Sequence, residues 1–162
     1  AGQEGYVRPF SCTLDEAYTG CRKRLKVTQH VPSRFGMGPG ARTSRVYEIE
    51  VAPGAKEGTR YSFGPRDGLA PITFVLSVAP HRWFVRSGDD LVFVVTLTER
   101  QASRGVRVTI PTLDGRTLRV STLGKRIRNR TELRYKGMGM PRRPAFPGAK
   151  DHGDIIIRFK VR

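Results

Sequence analysis

Short apolar and polar alternations recur along the whole chain. Val46-Tyr47-Glu48-Ile49-Glu50-Val51 has period two and reads as a strand with one buried face. Ile72-Thr73-Phe74-Val75-Leu76-Ser77-Val78 and the run from Leu91 to Leu97 are denser in apolar residues, as central strands are. Tyr61-Ser62-Phe63, Arg24 to Thr28, Arg107 to Ile110, Thr117 to Val120 and Ile155 to Val161 complete the predicted strands. Asp114-Gly115 is a hairpin turn, because both residues tolerate positive φ. Only two short helices are predicted. Thr13 to Tyr18 has a capping residue and early acids and stops at Gly20; Thr98 to Arg104 stops at Gly105. The Gly- and Pro-punctuated segment from Pro32 to Arg45 is expected to be a mobile loop.

The same order of elements occurs twice. Glu16-Ala17-Tyr18-Thr19-Gly20 aligns with Gln101-Ala102-Ser103-Arg104-Gly105, and a strand follows each. Thr59-Arg60-Tyr61-Ser62-Phe63-Gly64 matches Leu133-Arg134-Tyr135-Lys136-Gly137, and Ile72 to Val78 matches Ile155 to Val161. Self-similarity of this kind marks duplicated modules. The expected fold is therefore mainly all-β: two tandem, similar β-sandwich-like subdomains, each with one short helix. Their boundary falls near Pro80 to Trp83, giving modules at 4–80 and 81–162.

The 162 residues carry 30 Lys and Arg against 14 Asp and Glu, a net charge of +16. The excess is uneven. Residues 1–81 hold 11 basic and 7 acidic side chains, for +4; residues 82–162 hold 19 and 7, for +12. Such a field attracts anions, although arginines also simply solvate β-surfaces. Cys12 and Cys21 form neither a C-x-x-C nor a disulfide framework. They read as free thiols of a reducing compartment, with a single disulfide as the alternative. No apolar run reaches the ~20 residues of a membrane span.

Six ordered motifs carry a resemblance. They are Leu14-Asp15-Glu16-Ala17-Tyr18-Thr19-Gly20, Val51-Ala52-Pro53-Gly54-Ala55-Lys56-Glu57-Gly58, His81-Arg82-Trp83-Phe84-Val85-Arg86-Ser87-Gly88-Asp89-Asp90-Leu91, Leu113-Asp114-Gly115-Arg116, Gly137-Met138-Gly139-Met140-Pro141 and Gly153-Asp154-Ile155. In order and spacing they resemble the C-terminal peptide-binding region of class B DnaJ-type co-chaperones. The resemblance implies a peptide-binding first domain and a similar second one, with no zinc-binding cysteine repeats inserted in the first. It also implies binding of unfolded clients and of the acidic Glu-Glu-Val-Asp tail of the seventy-kilodalton heat-shock chaperone. A cytoplasmic and also nuclear location and a homodimeric parent follow from the same resemblance. The J-domain and its His-Pro-Asp triplet are not in this sequence, and the dimerisation helix is expected beyond Arg162; dimerisation of this stretch alone is left open.

The residues themselves support such a groove. On a strand Lys23, Leu25 and Val27 share one face, and Arg22, Arg24 and Lys26 the other. Phe10 and Cys12 share a parity on the preceding strand, as do Phe74 and Leu76 on a later one. If these faces converge they form a shallow apolar groove with a basic rim, where an extended peptide could add along a strand edge. Plain core packing is the simpler reading of each apolar residue. Lys23 argues against it, because burying an unpaired ammonium is costly. Lys23 matches the family's rim lysine, and Arg8 is the cation available for the other rim position.

No catalysis and no cofactor are expected: His30, His81 and His152 lie in no nucleophile motif. Asp151-His152-Gly153-Asp154 reads as a turn rather than a metal site, and Gly36-Met37-Gly38-Pro39-Gly40 is a weak phosphate-loop signal without a following helix. The competing functional class is nucleic-acid binding, through Lys125, Arg126, Arg128, Arg130, Arg134, Lys136, Arg142 and Arg143. Only Tyr135 supplies an aromatic among them, so this reading ranks second.

Overall fold

The computed structural model describes residues 5–31, 38, 40–66, 68–142 and 151–162. Its elements are β1 (Tyr6–Cys12), α1 (Leu14–Thr19), β2 (Cys21–Val31), β3 (Ala41–Val51), β4 (Arg60–Phe63), β5 (Ile72–Val78), β6 (Phe84–Ser87), β7 (Asp90–Leu97), α2 (Glu99–Arg104), β8 (Arg107–Pro111), β9 (Thr117–Ser121), β10 (Glu132–Tyr135) and β11 (Ile155–Val161). The fold is all-β with two short helices, as the alternation predicts. The chain divides into two compact units, Ala1–Ala79 and Pro80–Arg162.

In the first unit β5 runs between parallel β1 and antiparallel β4, and β2 and β3 form a separate hairpin. The hairpin lays one face on the sheet: the Tyr47 ring lies 5.4 Å from Phe74 and 5.0 Å from Phe63. Tilted and edge-on aromatic pairs of this kind add to the area they bury. In the second unit β7 and β11 are the parallel pair, β10 flanks β11, and β8 and β9 form the hairpin. Here β6 adds a fourth strand on the outer edge of β7. Phe84, Phe159, Ile110, Ile155 and Ile157 fill its core.

The joints of the two units match. Each helix starts in a capping box, Thr13 with Glu16 and Thr98 with Gln101, satisfying two backbone donors reciprocally. Each ends at a positive-φ glycine, Gly20 or Gly105. The Gly54 N–H donates to the Ala17 carbonyl (2.7 Å), and the Ile127 N–H to the Ala102 carbonyl (2.8 Å). Both ladders end just before the helix, at Cys12↔Val78 and Leu97↔Val161. The registers thus equate Arg8 with Phe93, Lys23 with Val108 and Leu25 with Ile110.

One expectation needs correction. Residues 41–45, read as loop, belong to β3, and β2 extends to Val31, with His30 opposite Arg42 and Gln29 opposite Thr43. Ala41, Arg42, Thr43 and Ser44 are all exposed, so no hydrophobic alternation marks this part of the strand. Ladder hydrogen bonding to β2 holds it instead. Residues 32–37 and 39, and so most of the Gly36–Gly40 segment, lie outside the described residues. The segment Asp151–Asp154 does form a bend. His152 bridges Pro141, and the Asp154 carboxylate accepts from Arg134 (2.8 Å) and from the Gly137 N–H (3.0 Å). No cluster of metal-binding side chains occurs among the described residues, and no described helix is long and apolar enough to cross a membrane.

Candidate functional site

A cleft of about 350 Å³ opens between β1 and β2, with Phe74 of β5 at its floor. Arg8 and Pro9 form one wall and Arg24 to Thr28 the other. Among the described residues β1 pairs only with β5 and β2 only with β3. Both walls are therefore strands with an open edge, whose unused N–H and C=O groups can accept another strand. Pro9 removes one donor from the β1 edge. The β2 edge has no proline from Cys21 to Val31.

The predicted site residues divide by depth. Phe10, Cys12, Phe74 and Leu76 are only 7%, 3%, 2% and 1% exposed. Phe10, Cys12 and Leu76 are core; Phe74 is core that also reaches the cleft floor. Leu25 and Val27 are half-buried and line the cleft. Arg8 is exposed on the opposite wall, its guanidinium 6.0 Å from the Tyr6 ring. The shared face of β1 thus runs from exposed Tyr6 and Arg8 into buried Phe10 and Cys12.

Lys23 shares the inner face of β2 but is not unpaired. Its Nζ lies 2.8 Å from Glu16 Oε2 of α1, and both side chains are about two-thirds buried. Hydrogen bonding to Lys23 holds the Glu16 carboxyl below its ordinary range, and the same bond raises Lys23. The pair loses stability only as pH falls through the lowered value of Glu16 or rises through the raised value of Lys23, so it is intact around neutrality. Glu16 therefore offsets within the fold the cost of burying the Lys23 ammonium, so core packing at Lys23 needs no outside carboxylate. In the sequence Glu16 reads only as an early acid of the helix; its pairing with Lys23 does not show there. Two of the three outer cations of β2 are paired across the hairpin, Arg22 with Glu50 (3.6 Å) and Arg24 with Glu48 (3.9 Å).

Cys12 and Cys21 are both free thiols. Burial is the main cause pushing each of them up, so neither is an activated nucleophile.

The second unit does not repeat this cleft. Arg8 is replaced by Phe93, which packs 5.5 Å from Phe84 of the added strand β6. Lys23 is replaced by Val108, and Leu25 by fully buried Ile110. The cations at both positions and the open β1-type edge are lost together.

Residues 7–162 match the family model of the DnaJ C terminal domain. The chain belongs to this family. It is 36% identical to Protein psi1 of Schizosaccharomyces pombe, over 100% of this chain and 43% of that protein. It is 34% identical to DnaJ homolog subfamily B member 5 of Homo sapiens, over 96% and 45%, and 30% identical to Protein SIS1 of Saccharomyces cerevisiae, over 92% and 42%. This DnaJ C-terminal region thus spans less than half the length of these relatives.

Proposed function

We propose that this DnaJ C-terminal region is the substrate-binding part of a co-chaperone and has no catalytic role. In this reading an extended client segment pairs with the free edge of β2 in the first unit and sets alternate side chains against Leu25, Val27 and Phe74. The two units correspond to the family's first and second C-terminal domains. The acidic C-terminal tail of the seventy-kilodalton heat-shock chaperone would enter the same cleft and continue along β2, its carboxylates meeting Arg8 in the cleft wall and Lys23 beside it, which does not line the cleft. The longer parent would act in the cytoplasm, and also in the nucleus, as a homodimer. The observation that carries the reading is one cleft joining two open strand edges, half-buried apolar side chains and flanking cations. Main-chain pairing is tolerant of sequence, which suits many unfolded clients.

The test is calorimetric titration with a peptide ending Glu-Glu-Val-Asp. Lys23→Glu should weaken binding at least about tenfold, the size of one charge-assisted hydrogen bond, while circular dichroism stays unchanged. Unaltered affinity in the folded variant would remove Lys23 from the site.

A further inference from the structure

We propose that the second unit binds the phosphodiester backbone of nucleic acid, without regard to sequence, on a basic surface around α2. This activity is separate from the cleft of the first unit.

The +12 half of the sequence does not spread its cations evenly. Arg134 and Arg142, though exposed, are paired with carboxylates, Arg134 with Asp154 (2.8 Å) and Asp90 (3.6 Å) and Arg142 with Asp89 (3.3 Å). Arg126 and Arg128 are exposed and have no carboxylate partner among the described residues. They line a concavity of about 590 Å³ together with Ser103, Asn129 and Arg162, and among the described residues Glu99 is the one acidic side chain in its wall. Arg100 and Arg104 are exposed one turn apart on α2, the helix whose Glu99 and Ser103 help line it.

The first unit shows that the fold does not need these cations. The matched bonds from Gly54 to Ala17 and from Ile127 to Ala102 superpose the two segments. Arg126 and Arg128 then stand where the first unit has Pro53 and Ala55. Arg100, Arg104 and Arg162 stand where it has Asp15, Thr19 and Ala79. Five guanidiniums around one short helix repel each other and weaken the compact state. A bound polyanion relieves that repulsion.

The chemistry of the wall selects phosphate. Main-chain groups at the site are already used: Ile127 N–H on Ala102, Val161 N–H on Asn129 Oδ1 (3.0 Å) and Arg162 N–H on the Leu97 carbonyl (2.9 Å). A peptide finds no strand edge there, since β11 is paired on both sides. Guanidinium forks and a serine hydroxyl suit phosphate oxygens. Among the described residues the wall contains no aromatic side chain, so contact falls on the phosphate backbone, which carries no sequence information.

Fluorescence anisotropy of a labelled oligouridine with the 162-residue chain, across a salt series, tests this. Binding is expected, weakening steeply with salt. R126A/R128A should lower affinity about tenfold and reduce the salt slope by ~1.4, given ~0.7 per single-strand phosphate contact. K23E should leave oligouridine binding near that of the parent chain. The proposal is overturned if the parent chain does not bind, or if R42A/R60A in the first unit costs as much as R126A/R128A, since net charge alone would then explain the affinity. It is also overturned if polyglutamate competes as well as an unlabelled oligonucleotide of equal charge, which would make the surface an acidic-protein site.

Discussion

Lys23 shows what parity can and cannot tell about a single side chain. Alternation along β2 placed it on the inner face with Leu25 and Val27, and it lies there. Its pairing with Glu16 was invisible, because the partner sits on another element and its first duty is to cap α1. The pair has a consequence for binding, because an incoming carboxylate must share or displace Glu16. Glu16→Gln is expected to strengthen binding of an acidic peptide several-fold, measured by titration at neutral pH. The helix should survive the change, since Gln101 fills the same capping position in the second unit. Weaker binding in a folded E16Q variant would show that Glu16 orients Lys23 for the ligand rather than competing with it. The four apolar residues Phe10, Cys12, Phe74 and Leu76 illustrate the opposite limit. Period two gives the face but not the depth: all four are core, and of them Phe74 also reaches the cleft floor.

At the scale of elements, the strongest local signals were turns and caps. The helices at Leu14–Thr19 and Glu99–Arg104 were legible from the capping residue and early acids of the first and from the glycine that ends each. Gly105 shows why the glycine is required: at φ 92° and ψ 159° it occupies a region open essentially to glycine alone. A Cβ there would also meet the Thr122 carbonyl oxygen at 2.5 Å. Gly105→Ala should therefore cost roughly 2–3 kcal/mol, read as a shift in urea midpoint. Gly115 has positive φ but open space around it, so Gly115→Ala should cost about 1 kcal/mol. Equal costs would mean that the crowding at Gly105 relaxes. The start of β3 was missed for a physical reason: with both faces exposed, a strand leaves no hydrophobic period to read.

Across the whole molecule, the two units share a frame and differ in what they leave open. Phe159 is fully buried in the second unit. Phe159→Ala should destabilise that unit by about 3–5 kcal/mol, as large-to-small core changes do. Intrinsic Trp83 fluorescence, from the second unit, would report the loss during urea unfolding. Peptide binding in the first unit should persist below the midpoint of the weakened transition. Loss of peptide affinity in step with the fluorescence change would show that the cleft depends on both units. The contrast between Lys23 and Val108, and between Arg8 and Phe93, restricts the proposed client site to the first unit.

The amino-acid sequence by itself determined the strand content, the two short helices, the duplicated order and the uneven charge. These are local or additive properties: periodicity, capping chemistry and a sum of ionised groups. Only the tertiary structure decided which apolar faces are core and which line a cleft. It also decided that Lys23 has a partner in Glu16 and that β6 covers in the second unit the edge that β1 leaves free in the first. Those facts depend on which strands become neighbours. Strand pairing joins residues as far apart as Arg8 and Phe74, and no local pattern records it.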